Sequence, residues 1–373
     1  LQEHVNTFTL EEVERLTWVP KEQIKEAARL YATNKPSIIG WGNALEQTVC
    51  AFQACRAIAI LRALTGNVNT PDGAEFEVEP APMTRPGRFM LGGKLKERLR
   101  QYPRSAERTV GGEFKVALVS AYIPTQVLIR SILDERSSPV KAALLWLTNP
   151  LVTYPDSKEV HRAFMKLDFI VVSEIFHTPT TAIADIVLPV AADFEHEDIG
   201  YWPAWVGFAR LYPKLVDPPG EAWSDMKIIN ELAKRVGLGE YFWEDEYEAL
   251  DYMLEPAGIT YKGFRDKVKF LDRKILYAPN KVLGYKTPSG KVEIYSDQLK
   301  ALGYNPLPYF EELAKPLRGP FELTEEYPLI MTNAKDEVFF LSRYQKVSLL
   351  HEVEPYPKVW LNMKTANQLG LKE

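Results

Sequence analysis

The residues that could do chemistry gather at the ends of two apolar runs. Thr148 and Asn149 follow AALLWL, Ser173 and Glu174 close FIVVSE, and His177 and Thr178 come just beyond. If the runs are neighbouring parallel strands, these side chains share one sheet edge, which is where doubly wound sheets bind ligands. The chemistry on offer there is recognition. A second set, Asp193, Glu195, His196, Glu197 and Asp198, has the residue types of a metal centre. Consecutive loop positions seldom aim several side chains at one ion, so no metal is expected there. A third candidate is Gly40-Trp41-Gly42, which follows the apolar SIIG and precedes a helical pattern. Free backbone N–H groups at a helix start can hold an anion, and Gly42 lets a phosphate come close. A tight turn needing a left-handed residue explains the same glycines equally well. Cys50 and Cys55 do not form a C-x-x-C pair and read as core thiols.

The elements needed to position these residues can be read from the apolar periods. AALLWL and FIVVSE are continuous apolar runs of strand length, as in a parallel sheet covered on both faces. Between them Asp156 or Ser157 caps a helix with Val160, Phe164 and Leu167 on one side. Earlier, Thr9 with Glu11 and Glu12 opens a helix, and Pro20 begins another carrying Ile24, Ala27, Ala28 and Tyr31 on one face. SIIGWG reads as a buried strand, and the stretch from Asn43 as one long helix closed at Gly66. Residues 67–115 read as an irregular excursion, FKVALVS as a strand, and the stretch from Pro124 as a helix. Ser224 caps a helix expected to turn Met226, Ile229, Leu232, Ala233 and Val236 inward, with Gly237 as its stop. A polar and aromatic helical section follows to about 283, then a turn, the strand KVEIYS and a short helix. A Pro-rich linker leads to YPLIMTN, read as a new strand.

The expected core therefore has parallel strands near 37–41, 142–147, 169–174 and 185–188, with helices on both faces. Asn149, Ser173, Glu174 and Thr178 are expected to face one crevice. With 373 residues, 46% hydrophobic and 25% charged, the chain has room for two or three domains. A net charge of -5 and no basic-aromatic interleaving exclude a nucleic-acid footprint. A small molecule or a protein is the expected partner. No apolar run is long enough for a membrane span. A start without methionine reads as the interior of something longer.

Several motifs in order resemble molybdopterin oxidoreductases of the dimethyl-sulfoxide-reductase type. They are KPSIIGWGNALEQ, RAIAILRALTGNVNTPDG, LTNPLVTYPDSKEV, LDFIVVSEIFHTPTTAIADIVLPVAADFEHE, PPGEAWSDMKIINELAKRVG, TPSGKVEIYS, and YPLIMTN with PKVWLNMKTANQLGL. The branch that includes acetylene hydratase is the most similar. The resemblance implies an α/β, Rossmann-like core over 1–320 and the start of a C-terminal β-barrel domain over 321–373. It implies molybdenum or tungsten held by two molybdopterin guanine dinucleotides, and a small-molecule substrate for two-electron redox or oxygen-atom transfer. Asn149 then matches a pterin-nucleotide contact, Ser173 and Glu174 the pair that recognises guanosine, and Thr178 the same crevice. Trp41, Gly42 and Gln47 match a turn against the other nucleotide, and Asp225 a helix-start contact. His196 stands where the family commonly has Lys, so a fixed cation becomes a titratable one. No metal ligand and no catalytic residue is identified in this chain. A 4Fe-4S cluster and the metal-ligand segment are expected before residue 1, an electron-transfer subunit is an expected partner, and the chain alone is expected to be inactive. A hydratase and a non-catalytic scaffold of a respiratory complex are the alternatives.

Overall fold

The computed structural model describes residues 1–48, 50–68, 77–84, 101, 110–112, 123–134, 140–201, 207–276, 284–285 and 287–310, and 328–372 with interruptions at 330, 333, 335–336, 340–343 and 346. The chain divides into two compact units, Leu1–Tyr309 and Phe310–Glu373.

The first unit opens with α1 (Gln2–Val5), α2 (Leu10–Thr17) and α3 (Lys21–Thr33). Thr9 caps α2 as read, its hydroxyl accepting from the Glu12 N–H at 3.2 Å. SIIGWG does not form the expected strand. Ile38 is 58% exposed, and the Ser37 N–H bonds the Asn67 side chain, at Oδ1 and 3.1 Å, rather than a neighbouring strand. A strand exists only through paired backbone groups, and among the described residues none runs beside it. The long helix expected from Asn43 is two pieces, α4 (Asn43–Glu46) and α5 (Ala51–Thr65). Thr48, β-branched and of low helix propensity, lies just after the first piece. Gly66 ends α5 at φ 71, a left-handed position that suits glycine.

The irregular excursion contributes β1 (Glu77–Glu79), and most of the rest of it, like FKVALVS, lies outside the described residues. After Pro124 comes α6 (Thr125–Leu133), then β2 (Ala142–Trp146), α7 (Pro150–Thr153), α8 (Ser157–Phe164), β3 (Phe169–Glu174) and β4 (Ile186–Pro189). These strands form a parallel sheet in the order β2-β3-β4, with FIVVSE at its centre. Ile170 and Val172 pack with Ile129 and Ile132 of α6 and Val160, Ala163 and Phe164 of α8 in one buried cluster. Because side chains alternate along a strand, Val171 and Ser173 point to the other face.

Downstream, the sequence reading missed a second sheet. β5 (Asp198–Tyr201), β6 (Ala209–Tyr212) and β7 (Phe270–Leu271) are antiparallel in that order, and β8 (Lys274–Leu276) pairs with β1. Its core is Ile199, Ala209, Leu250, Leu254, Tyr261 and Phe264, joined by Ala81 and Met83. The strands are short and interrupted by Gly, Pro and charge, so no period of two emerges over a usable length. Between β6 and β7 lie α9 (Asp225–Arg235), α10 (Glu246–Leu254) and α11 (Tyr261–Gly263). α9 is capped by Ser224 as read, but it buries a different face. Ile228, Asn230 and Ala233 are buried, whereas Ile229, Leu232 and Val236 are at least 40% exposed. The polar Asn230 disguised the inward side. KVEIYS is not a strand, and α12 (Asp297–Ala301) follows it.

In the second unit Pro328, Leu329, Met331 and Thr332 of YPLIMTN carry no strand. α13 (Ser348–Val353) and α14 (Met363–Gln368) are its described elements. Among the described residues no helix is long and apolar enough to cross a membrane.

Candidate functional site

The carboxyl edge of the parallel sheet gathers most of the expected side chains. Trp146 pairs with Ser173 in register, and Ser173 with Leu188, so the strands end level. Past β2 the chain turns through Leu147, which is left-handed (φ 51) and 90% exposed. That conformation is costly for a branched residue and tends to occur where a site requires it. Asn149 follows at the start of α7. Its Oδ1 accepts from the Thr180 hydroxyl at 2.5 Å, and Thr180 Oγ1 accepts from the Leu151 N–H at 3.3 Å. Thr180 is fully buried, so this bond ties the loop after β3 to the loop after β2.

Beyond β4 a bridge between Val190 and Trp223 continues the parallel arrangement, with the Ala191 N–H bonded to the Trp223 carbonyl at 2.8 Å. That bridge delivers Ser224 and Asp225, the start of α9, to the same edge. Ser173, only 4% exposed, donates to Asp225 Oδ1 at 3.3 Å. Burial pushes the Asp225 carboxyl above the usual range, while the Ser173 bond and the nearby His196 pull the other way. His196 itself donates from Nδ1 to the Ala192 carbonyl at 3.2 Å. Glu174 folds back, its Oε1 accepting from the N–H of Ile175 at 2.8 Å and of Phe176 at 3.4 Å. Thr178 and Thr181 exchange bonds within one turn, the Thr178 N–H donating to Thr181 Oγ1 at 2.8 Å.

Two of the carboxylates of 193–198, Glu195 and Glu197, tie the local scaffold together. Glu195 accepts from the Ala192 N–H at 2.7 Å. Glu197 accepts from the Lys214 N–H at 3.0 Å, the Tyr261 hydroxyl at 2.8 Å and Arg265 at 3.2 Å. Burial alone would raise the Glu197 pKa, but these three donors more than offset it and hold the carboxyl low. Among the described residues no three His, Cys, Asp or Glu side chains converge as a metal site.

Trp41, Gly42 and Gln47 sit around α4. Trp41 donates from Nε1 to Glu46 at 2.7 Å and lies 5.0 Å from the Arg62 guanidinium. Gly42 is extended, at φ -138, so no left-handed turn explains it. A single-turn α4 also has too little helix behind it for an anion site, which removes that part of the expectation. No hydrogen bond among the described residues joins this trio to the strand-end set. Sequence reasoning missed Thr180 and Trp146. Thr180 lies in a loop with no local pattern to mark it, and Trp146 lies inside the apolar run AALLWL.

Comparison with known proteins follows the same outline. A family model described as molybdopterin oxidoreductase matches residues 22–235. The acetylene hydratase of Syntrophotalea acetylenica is 31% identical over 394 aligned positions, covering 100% of this chain and 53% of that protein. Formate dehydrogenase H of Escherichia coli is 31% identical over 241 positions, covering 64% of this chain and 33% of that one. The solved acetylene hydratase from Pelobacter acetylenicus superimposes with a TM-score of 0.81 at 30% identity, covering 99% of this chain and 54% of that structure. The chain thus spans about half the length of the acetylene hydratase it matches. With the family match extending over more than half of its residues, the chain belongs to the molybdopterin oxidoreductases.

Proposed function

We propose that this chain forms part of the catalytic subunit of a molybdenum- or tungsten-dependent oxidoreductase and holds molybdopterin guanine dinucleotide at the carboxyl edge of its parallel sheet. The family implies the metal–pterin group, and the residues present fit it. Trp146 Nε1 at the end of β2 is a buried donor with no partner among the described residues, and a Cβ built at Gly42 meets none of the described atoms within 4 Å, leaving its backbone open to close approach. When bound, such a group supplies two-electron redox or oxygen-atom transfer. The chain's own residues bind and orient. Ser173, Glu174, Thr178 and Asp225, with Asn149 and His196, are assigned to one nucleotide, and Trp41, Gly42 and Gln47 to a second. A 4Fe-4S cluster and an electron-transfer subunit belong to the same reading, and no residue here is assigned to either. The observation that carries the proposal is the Ser173–Asp225 pair, because a buried serine and a half-buried aspartate from distant segments meet at the carboxyl edge of the sheet, where doubly wound sheets bind ligands.

Titration calorimetry with guanosine and adenosine diphosphates tests it. GDP is expected to bind in roughly the millimolar range, ADP more weakly, and Glu174→Ala to abolish the difference. Equal affinity for the two nucleotides, or no binding of either, overturns the nucleotide assignment. A second reading, hydration without net redox, is favoured by the identity to acetylene hydratase over the whole chain. Turnover of acetylene by the metal-loaded protein without an electron acceptor separates it from the first.

A further inference from the structure

The loop between β4 and β5 carries a side chain whose charge can change near neutral pH, and the fold holds that side chain in place. The Ala192 N–H donates to Glu195 Oε2 at 2.7 Å, and the Glu195 N–H returns to the Ala192 carbonyl at 3.0 Å. Phe194 is left-handed (φ 71), and its carbonyl accepts from the Leu215 N–H at 2.7 Å and the Val216 N–H at 3.1 Å. The loop therefore closes on itself and is pinned by a second segment. His196 ends it, half-buried, with Nδ1 3.2 Å from the Ala192 carbonyl. A carbonyl only accepts, so Nδ1 carries the hydrogen and Nε2 is the nitrogen that titrates. Neutral, Nε2 is an acceptor, whereas protonated it becomes a donor on a positive ring.

The surroundings of His196 are mostly acidic. The Ala191 N–H bonds the Trp223 carbonyl at 2.8 Å, which sets the loop beside Ser224 and Asp225. Asp225 at the start of α9 and Asp198 at the start of β5 both lie within electrostatic reach of the imidazole. Asp193 on the loop and Glu246 on α10 act on Asp198 in turn, and Glu246 accepts the Ser224 hydroxyl. Glu195 is held by the Ala192 N–H. Lys227 on α9 is a cation in this neighbourhood, and its ammonium stands 4.2 Å over the Trp223 ring. A second histidine, His177, lies exposed beyond β3. Among the described residues around His196, then, carboxylates outnumber ammonium groups. A diphosphate ligand adds further negative charge to this edge, and repulsion opposes its binding unless a positive charge joins it.

We propose that His196 is the proton-dependent partner of the nucleotide at this edge: its imidazolium, with Nε2–H free to donate, offsets the phosphate charge, so affinity rises as pH falls from about 8 to about 6. The proposal rests on the nucleotide reading above and adds to it the group that regulates affinity. Linkage is reciprocal, so a ligand that prefers the imidazolium must also hold the proton on it.

Titration calorimetry of the full chain with GDP from about pH 8 to about pH 6 tests it, beside His196→Gln, His196→Lys and His177→Gln. The terminal phosphate of GDP itself gains a proton near about pH 6, which affects every variant alike, so His196→Gln supplies the baseline. Relative to that baseline, wild type should gain about tenfold in affinity over the range. His196→Lys, charged throughout, should follow the pH course of the baseline at higher affinity, and His177→Gln should follow wild type. In proton resonance titrations, the imidazole signal missing from His196→Gln should titrate at higher pH once GDP is added to wild type. A wild-type pH course that parallels His196→Gln, one that is lost in His177→Gln, or a His196 midpoint that bound GDP leaves in place overturns the proposal while the nucleotide reading stands. GDP binding to none of the proteins at any pH overturns the nucleotide reading and this proposal with it.

Discussion

Ser173 donates its hydroxyl hydrogen to Asp225 Oδ1 across 3.3 Å, joining the end of β3 to the first residue of α9, 52 positions later. The bond tempers the behaviour of a half-buried carboxylate. Burial favours its neutral form, and Ser173 and His196 restrain that shift. A carboxyl whose folded pKa exceeds its unfolded value favours the folded state below the unfolded pKa, and that contribution is lost as pH rises through the folded pKa. Asp225→Asn should therefore stabilise the chain at neutral pH, with the gain shrinking toward about pH 4. Ser173→Ala should raise the Asp225 pKa further, read by carboxyl-carbon resonance titration. An Asp225 titration that does not move in Ser173→Ala would deny the bond its role.

Thr180 connects two loops through a single hydroxyl that donates to Asn149 and accepts from Leu151. Thr180→Val keeps shape and removes both bonds, leaving Asn149 Oδ1 without its donor. The expected loss is about 1–3 kcal/mol, measured by urea unfolding, with GDP affinity falling as the Asn149 side chain loses its anchor. Thr180→Ser, which keeps the hydroxyl, should recover most of the affinity.

Tyr261, 1% exposed, donates its hydroxyl to Glu197, and the same carboxylate holds Arg265 and the Lys214 backbone. The Glu197 pKa is depressed, so its stabilisation is present above its unfolded pKa and lost as pH falls through the folded one. Tyr261→Phe should cost about 1.5–3 kcal/mol at pH 7. The gap from wild type should narrow below about pH 4 as Glu197 protonates. A pH-independent gap would mean the hydroxyl acts through packing alone.

The parallel sheet was legible because AALLWL and FIVVSE are unbroken apolar runs and Asp156 and Ser224 are strong caps, signals that lie within a few residues of one another. Ser173 and Asp225 could be named from the family resemblance, but their contact depends on the Val190–Trp223 bridge, which leaves no local trace. SIIGWG had the composition of a strand without a described neighbour to pair with. The face of α9 was misread because one buried Asn outweighed two apolar residues in the pattern. The antiparallel sheet was invisible for a related reason. β7 has two residues, and what holds it is the cluster around Phe264 and Leu250, drawn from segments far apart in sequence.

Gly200 on β5 is where that hidden sheet can be tested. It is not in a left-handed conformation, so its lack of a side chain matters for space. A Cβ there would overlap the ring of Tyr212, which reaches from the neighbouring strand across the glycine. Gly200→Ala should displace the ring and cost about 1–3 kcal/mol, the usual range for overpacking. If the ring is the whole cause, the penalty must vanish once the ring is gone. In a Tyr212→Ala background, Gly200→Ala should be neutral or stabilising by up to about 1 kcal/mol, because a strand interior favours Ala over Gly. The double-mutant coupling would then be about 1–4 kcal/mol. Additive losses in thermal unfolding would show that the β5–β6 register is not the one described.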